Sequence, residues 1–233
     1  MKTFEIIEEN RKSVISLIIW IPAAKDSGKG GVSIIGTGFI VSPDGKFIIS
    51  AHTYKKIPQN ELQYLKVLIH DRKDEKGIIH HKQYKTELIK MDEDNDIALM
   101  KIISDRTDFQ SIKKLGDSEL VKEGDEAIFL GYSLGTELLE RGFGITMNTT
   151  SCIISSVKKR NDGYVYFFIV DAYMNNGSSG SPVFSKETGE VIGVMSDKIL
   201  ILSRIAMPDG KVFDIPAKMG ICRPSRYINK IIK

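Results

Sequence analysis

Almost throughout this chain the apolar residues come in short β-branched runs, each closed by Gly, Pro, Asn or Asp. Runs of that length and β-branched composition read as strands, and regular turn signals between them point to an all-β sandwich or a pair of barrels. A first series reads "SVISLIIWI" (Ser13–Ile21), "SIIGTGFIVS", "KFIISAH", "YLKVLIH", "KTELIKM" and "DIALMKI". A second reads "EAIFLGYS", "TSCIISSVKK", "YVYFFIVDA", "SPVFS", "EVIGVMS" and "ILILSRIAM". The polar stretch "SDRTDFQSIKK" separates them. The expectation is two halves of about six strands, residues 1–112 and 113–233. Within the first, "PDGK" (Pro43–Lys46) is a hairpin turn, since Pro presets φ and Gly accepts a positive one. Only the final "PSRYINKIIK" is spaced for a helix, with Tyr227, Ile228, Ile231 and Ile232 on one face.

Composition narrows the partners. A net charge of +3 is spread along the chain, and basic clusters such as Lys158–Arg160 lack interleaved aromatics, so a nucleic-acid groove is not expected. The longest apolar run, Val14–Ala24, is too short to span a bilayer. In the segment before it, three glutamates offset three basic residues, unlike a positively charged leader, so the expectation is a cytoplasmic protein. Two cysteines, Cys152 and Cys222, supply no disulfide framework; they read as free, buried thiols, with a single pairing between them as the alternative.

The stretch "NNGSSGSPVF" admits two readings: a flexible turn, or a tight loop holding a nucleophile. On the second, Ser179 lies between Gly177, two residues before it, and Gly180. The amides of Gly177 and Ser179 would then face a developing oxyanion. A serine needs a base, and there are four histidines. His70 closes a strand pattern, and His80 and His81 are adjacent, so in a strand they face opposite ways and share no metal. His52 follows "FIISA" at the end of a buried strand, where a side chain can emerge at a cleft on a rigid backbone. A third member must be a carboxylate that orients the imidazole. Asp92, Glu93 and Asp94 read as a solvated turn, whereas Asp96 opens the apolar strand "IALMKI".

Taken together, "GTGFIVSPDGKFIISAH", "DNDIALMKI" and "NNGSSGSPVF" followed by "GEVIGVMS" resemble the trypsin-like, double-β-barrel serine peptidases, in their order His, Asp, Ser. Within them "LGDSELVKEGDEAIFLGYSLG" and "FDIPAKMG" are similar to the HtrA, DegP-like branch. The resemblance runs from about Phe4 to Ile232. It implies two six-stranded antiparallel barrels, a lead-in helix over residues 4–12 and a short C-terminal helix. It implies a serine endopeptidase acting on protein or peptide substrates without metal or cofactor. His52 is then the base, Asp96 its partner and Ser179 the nucleophile, with Gly177 and Ser179 forming the oxyanion hole. Ser181 stands where the HtrA branch usually has a second glycine, a departure shared with the glutamyl-endopeptidase branch.

By the same resemblance Tyr173 lies at the floor of the primary pocket, where it either shortens the pocket or turns away. Val194, Met195 and Ser196 would offer a strand edge to the substrate backbone, and Lys198 would meet an acidic side chain if the glutamyl-endopeptidase likeness holds. The HtrA branch usually carries a PDZ domain, but this chain ends within its last helix, so a C-terminal peptide sensor is not expected. Homo-oligomers or a regulatory partner acting around "GYSLGTELLERGFG" stay open. The alternative function is a latent or inactive trypsin-like fold kept as a protein-binding scaffold. Intact His52, Asp96 and Ser179 argue against it.

Overall fold

Strand β1 (Val14–Ile21) has its first six residues buried, so it works on both faces. Ile15, Leu17 and Ile19 point into one apolar cluster with Phe47, Val67 and Met100. Val14 and Ile18 point into another, with Ile128, Leu130 and Phe184 from the second half of the chain. A strand buried on both faces needs apolar residues at successive rather than alternate positions, which "VISLII" supplies everywhere but at Ser16.

The structure is a computed structural model describing residues 1–21, 30–198, 203–206, 209, 212–215 and 219–233, with the side chains of 197–198, 203–206 and 212–215 left out. Strand β1 pairs antiparallel with β2 (Gly31–Ile40) and, on its other side, β4 (Leu65–Lys73). With β3 (Lys46–Ile49), β5 (Ile79–Asp92) and β6 (Ile97–Ile103) these close a six-stranded barrel in the order β1-β2-β3-β6-β5-β4. The expected "PDGK" turn joins β2 to β3, with Gly45 at φ +87° and its N–H donating to Ser42 O at 3.0 Å.

The second barrel uses β7 (Glu126–Gly131), β8 (Asn148–Lys159), β9 (Val165–Val170), β10 (Pro182–Ser185) and β11 (Val191–Lys198). Strands β12 (Ser203–Ala206) and β13 (Val212–Ile215) form a separate two-stranded sheet, and β14 (Gly220–Pro224) closes the barrel in the order β10-β11-β14-β9-β8-β7. Two six-stranded antiparallel barrels are therefore what the chain forms, but the closing strand is not the expected one. The run "ILILSRIAM" contributes only β12 among the described residues; the rest of it lies outside them. "GICRP" takes its place because Cys222, fully buried, pairs with Met195 on one side and Phe168 on the other. Flanking Gly220 and Pro224 hide that strand from a propensity reading.

Helices α1 (Thr3–Asn10) and α4 (Ser225–Ile232) begin and end the fold. Ile6 of α1 and Tyr227, Ile228 and Ile231 of α4 fill the apolar cluster between the barrels. The N-terminal amine reaches the second barrel, donating to Lys186 O and Glu187 O, each at 3.1 Å. Cys152 and Cys222 are free and buried, and burial pushes the Cys152 thiol up to about 12. Among the described residues no helix is long and apolar enough to cross a membrane.

One half-buried ionisable group, His81, makes stability depend on pH. The His81 ring lies edge-on to both His70 and Tyr132, with centroids 6.3 and 6.2 Å away. Burial, then the neighbouring His70 and His80, lower its pKa from 6.5 to about 4. The unfolded chain then binds the proton more readily than the folded one, so the stabilisation present above pH 6.5 is lost as pH falls toward 4. The expected result is a falling Tm across that window, with a shallower fall in His81→Gln, read by thermal unfolding.

Candidate active site

Helix α2 (Ala51–Lys55) follows β3 directly, and His52 stands in its first turn rather than in the strand. The change from strand to helix after Ser50 turns the imidazole toward the space between the barrels. Its Nδ1 lies 2.8 Å from Asp96 Oδ2 and its Nε2 lies 3.1 Å from Ser179 Oγ. The backbone N–H of His52 donates to Asp96 Oδ1 at 2.8 Å, so one carboxylate holds both the ring and the main chain that carries it. Asp96 sits at φ +54°, a left-handed conformation that Asp adopts more readily than most residues, in the turn before β6. Its carbonyl accepts from the Ala51 N–H at 3.2 Å.

The second barrel adds to this carboxylate: the Ser196 hydroxyl donates to Asp96 Oδ2. Burial alone would raise the Asp96 pKa, but the hydrogen bond and charge of His52, then the Ser196 hydroxyl, outweigh it and hold the carboxyl below its ordinary 3.8.

The loop from Asn175 to Ser181 selects among its three serines. Ser178 is fully buried, with its Oγ 2.7 Å from that of Ser133. Ser181 is fully buried too, and its Oγ faces Gly131 of β7, where a Cβ would come within 2.0 Å. The missing side chain at Gly131 makes room for a serine at 181. Ser179 alone faces His52. Gly177 and Gly180 both sit at φ +88°. The Ser178 N–H donates to Asn175 O and the Gly180 N–H to Met195 O, whereas the N–H groups of Gly177 and Ser179 have no partner among the described residues.

Thr37 of β2, fully buried, joins the loop to the first barrel and was not singled out from the sequence. Its Oγ1 donates to Gly177 O at 2.7 Å and accepts from Tyr132 N–H at 2.9 Å, while its own N–H donates to Ser179 O at 2.9 Å. Only its place between Gly36 and Gly38, where the chain can approach another backbone closely, hinted at such a contact. Thr37→Val keeps the shape but orphans the Gly177 carbonyl and the Tyr132 amide. The expected cost is about 2–4 kcal/mol in urea unfolding.

The residues expected to bind substrate divide. Tyr173 is 55% exposed and turns to solvent, while its neighbour Met174, 9% exposed, lines the cleft beside the loop. Val194 pairs with Pro182 on one side and Arg223 on the other, and Met195 exchanges both backbone hydrogen bonds with the Gly180–Ser181 segment. Neither is a free edge. Beyond Ser196, β11 pairs with β14 alone, so the edge expected at Val194–Ser196 begins at Ser196 instead. The Lys198 side chain lies outside the described residues. Among those described, no group of three or more His, Cys, Asp or Glu is placed to hold a metal ion.

Residues 36–194 match the family described as trypsin-like peptidase domain. A probable periplasmic DegP-like serine endoprotease of Marinomonas sp. is 30% identical over 195 residues, covering 83% of this chain and 35% of that protein. A protein of the same description from Chlamydia pneumoniae is 29% identical over 217 residues, 91% of this chain and 37% of its own. The chain thus spans about a third of the length of these relatives. A solved HtrA-type protease, AlgW with decapeptide, matches the fold with a TM-score of 0.70 at 17% identity, covering 100% of this chain and 66% of that one.

These relatives correct the expectation of a cytoplasmic protein, because they are named periplasmic and so point to the periplasm. The charge balance of the first residues could not decide the matter. They form α1, a part of the folded domain, and their charges serve its solvent face.

Proposed function

The chain belongs to the trypsin-like peptidase family, and from that premise we propose that it is a serine endopeptidase with Ser179 as nucleophile, His52 as general base and Asp96 as its orienting carboxylate. The observation that carries this reading is the unbroken relay from Asp96 Oδ2 through both ring nitrogens of His52 to Ser179 Oγ.

Asp96, held as a carboxylate, accepts a hydrogen bond from the Nδ1–H of His52 and leaves Nε2 as the acceptor. The Ser179 hydroxyl has two acceptors within reach, Nε2 at 3.1 Å and Ser196 O at 3.2 Å. Attack uses the first. Ser179 Oγ bonds to the scissile carbonyl carbon as its proton passes to Nε2, and the unpaired N–H groups of Gly177 and Ser179 receive the negative oxygen. Collapse breaks the C–N bond, Nε2 protonates the departing amine, and an ester remains on Ser179. Water, losing a proton to Nε2, then releases the acid and restores the hydroxyl. The substrate is a peptide whose acyl side pairs as a strand with β11 from Ser196 onward.

Labelling by a fluorophosphonate probe tests the reading. Wild type should label, and Ser179→Ala and His52→Ala should not. A well-folded wild type that stays unlabelled would sink it.

A further inference from the structure

On the serine-peptidase reading above, we propose that the cavity beside His52 and Ser179 receives the leaving half of the cleaved peptide, and that Glu137 makes it select a basic side chain in the first two residues after the scissile bond.

The side is set by the reaction's geometry. The acyl half runs along β11, and no residue of β11 lines the cavity, which measures about 570 Å³. Its walls are instead the helix that carries His52, through Thr53, the segment just after it at Ile57, the first half of β2 at Ile34, and the start of the nucleophile loop from Met174 to Gly177. The leaving amine takes its proton from His52 Nε2, so the chain beyond the cut bond departs over this helix and into that space.

Its floor is acidic on balance. Glu137 and Glu61 line it, with Lys56 as the one lysine or arginine among its lining residues. Glu137 belongs to α3 (Gly135–Glu140), and α3 is pinned in place. Ile34 N–H donates to Thr136 Oγ1 at 2.9 Å, and a Cβ on Gly135 would come within 2.5 Å of the Ile34 side chain. Glu137 is thereby held against the cavity, with its Oε2 covered by protein and accepting no hydrogen bond, which leaves Oε1 as the oxygen a ligand can reach. A carboxylate with one oxygen covered and unpartnered is costly until a cation is placed against the other. An incoming lysine or arginine side chain brings the charge and the N–H groups it lacks. Glu61 at the same cavity adds to the field that draws such a chain in.

The test measures binding rather than cleavage, so that it stands apart from the catalytic reading. Ser179→Ala protein is titrated, at low ionic strength, with the free-amine tetrapeptides Lys-Lys-Ala-Ala and Glu-Glu-Ala-Ala, which mimic the leaving half. Ligand-observed NMR reads the affinities. The lysine peptide should bind about tenfold tighter. Adding Glu137→Gln should remove most of that difference, and Glu137→Lys should reverse it, with circular dichroism checking that each variant is folded. Equal affinities in Ser179→Ala, or a preference that survives Glu137→Gln, would overturn the proposal. A lysine preference in a protein whose wild type takes no fluorophosphonate would instead keep the cavity assignment and remove the catalytic one.

Discussion

Alanine at position 179 is expected to lower kcat/KM for peptide hydrolysis by about a million-fold. On the proposed mechanism the Ser179 hydroxyl oxygen is the atom that bonds to the carbonyl carbon, and nothing else in the loop replaces it. The other two serines are engaged or turned away: Ser178 Oγ lies against Ser133 and Ser181 Oγ against Gly131. His52→Ala should cost about as much, and the double variant little more, because base and nucleophile act as one unit. Asp96→Asn should cost about ten-thousand-fold. An amide there presents its NH₂ or its single oxygen to a carboxylate's three partners: the His52 ring, the His52 main chain and the Ser196 hydroxyl. Steady-state rates on a fluorogenic peptide, with folding checked for each variant, decide the matter. Ser179→Ala retaining even a hundredth of the wild-type rate would mean that another group attacks.

Gly180→Ala should be the most damaging glycine-to-alanine change among the described residues. Its φ of +88° is strained for any residue with a Cβ, and that Cβ would lie 1.9 Å from the carbonyl oxygen of Thr37. The obstacle is backbone, so no side-chain rotation relieves it. The loop must shift, and with it the Ser179 N–H and hydroxyl. We expect a loss of stability on the order of 4 kcal/mol together with loss of activity and of fluorophosphonate labelling. Gly163→Ala is the control, since that glycine has φ +84° but open space around it. Only the conformational cost of about 1–2 kcal/mol should appear there, with activity kept. Urea midpoints of the two variants that coincide would show that the clash with Thr37 is relieved by movement elsewhere.

Much of this molecule was legible before any coordinates. The strand runs of the first barrel were readable because β1 and β6 are buried along most of their length and therefore spelled in continuous apolar residues. The terminal helix was readable because one face of α4 packs between the barrels while Asn229 and Lys230 stay in water. His52, Asp96 and Ser179 could be picked out for a related reason. Each is a polar residue set beside a buried run or a pair of glycines, where burying it needs a partner.

Other features had no local signal. Strand β14 holds its place through cross-strand partners on both sides, not through the propensities of Gly220 or Pro224. The outward turn of Tyr173, the pairing that occupies Val194 and Met195, and the role of Thr37 likewise depend on residues far away in the chain.

The sequence by itself determined the class of fold and which residues could do chemistry, because burial periodicity, turn residues and the types of reactive side chain are local properties. The tertiary structure alone decided which hydroxyl meets the imidazole, where a free strand edge begins and which carboxylate is left facing a cavity. Those outcomes rest on hydrogen bonds and contacts across more than a hundred residues of chain, such as Thr37 with Gly177 and Ile34 with Thr136, and a linear pattern carries no record of distance.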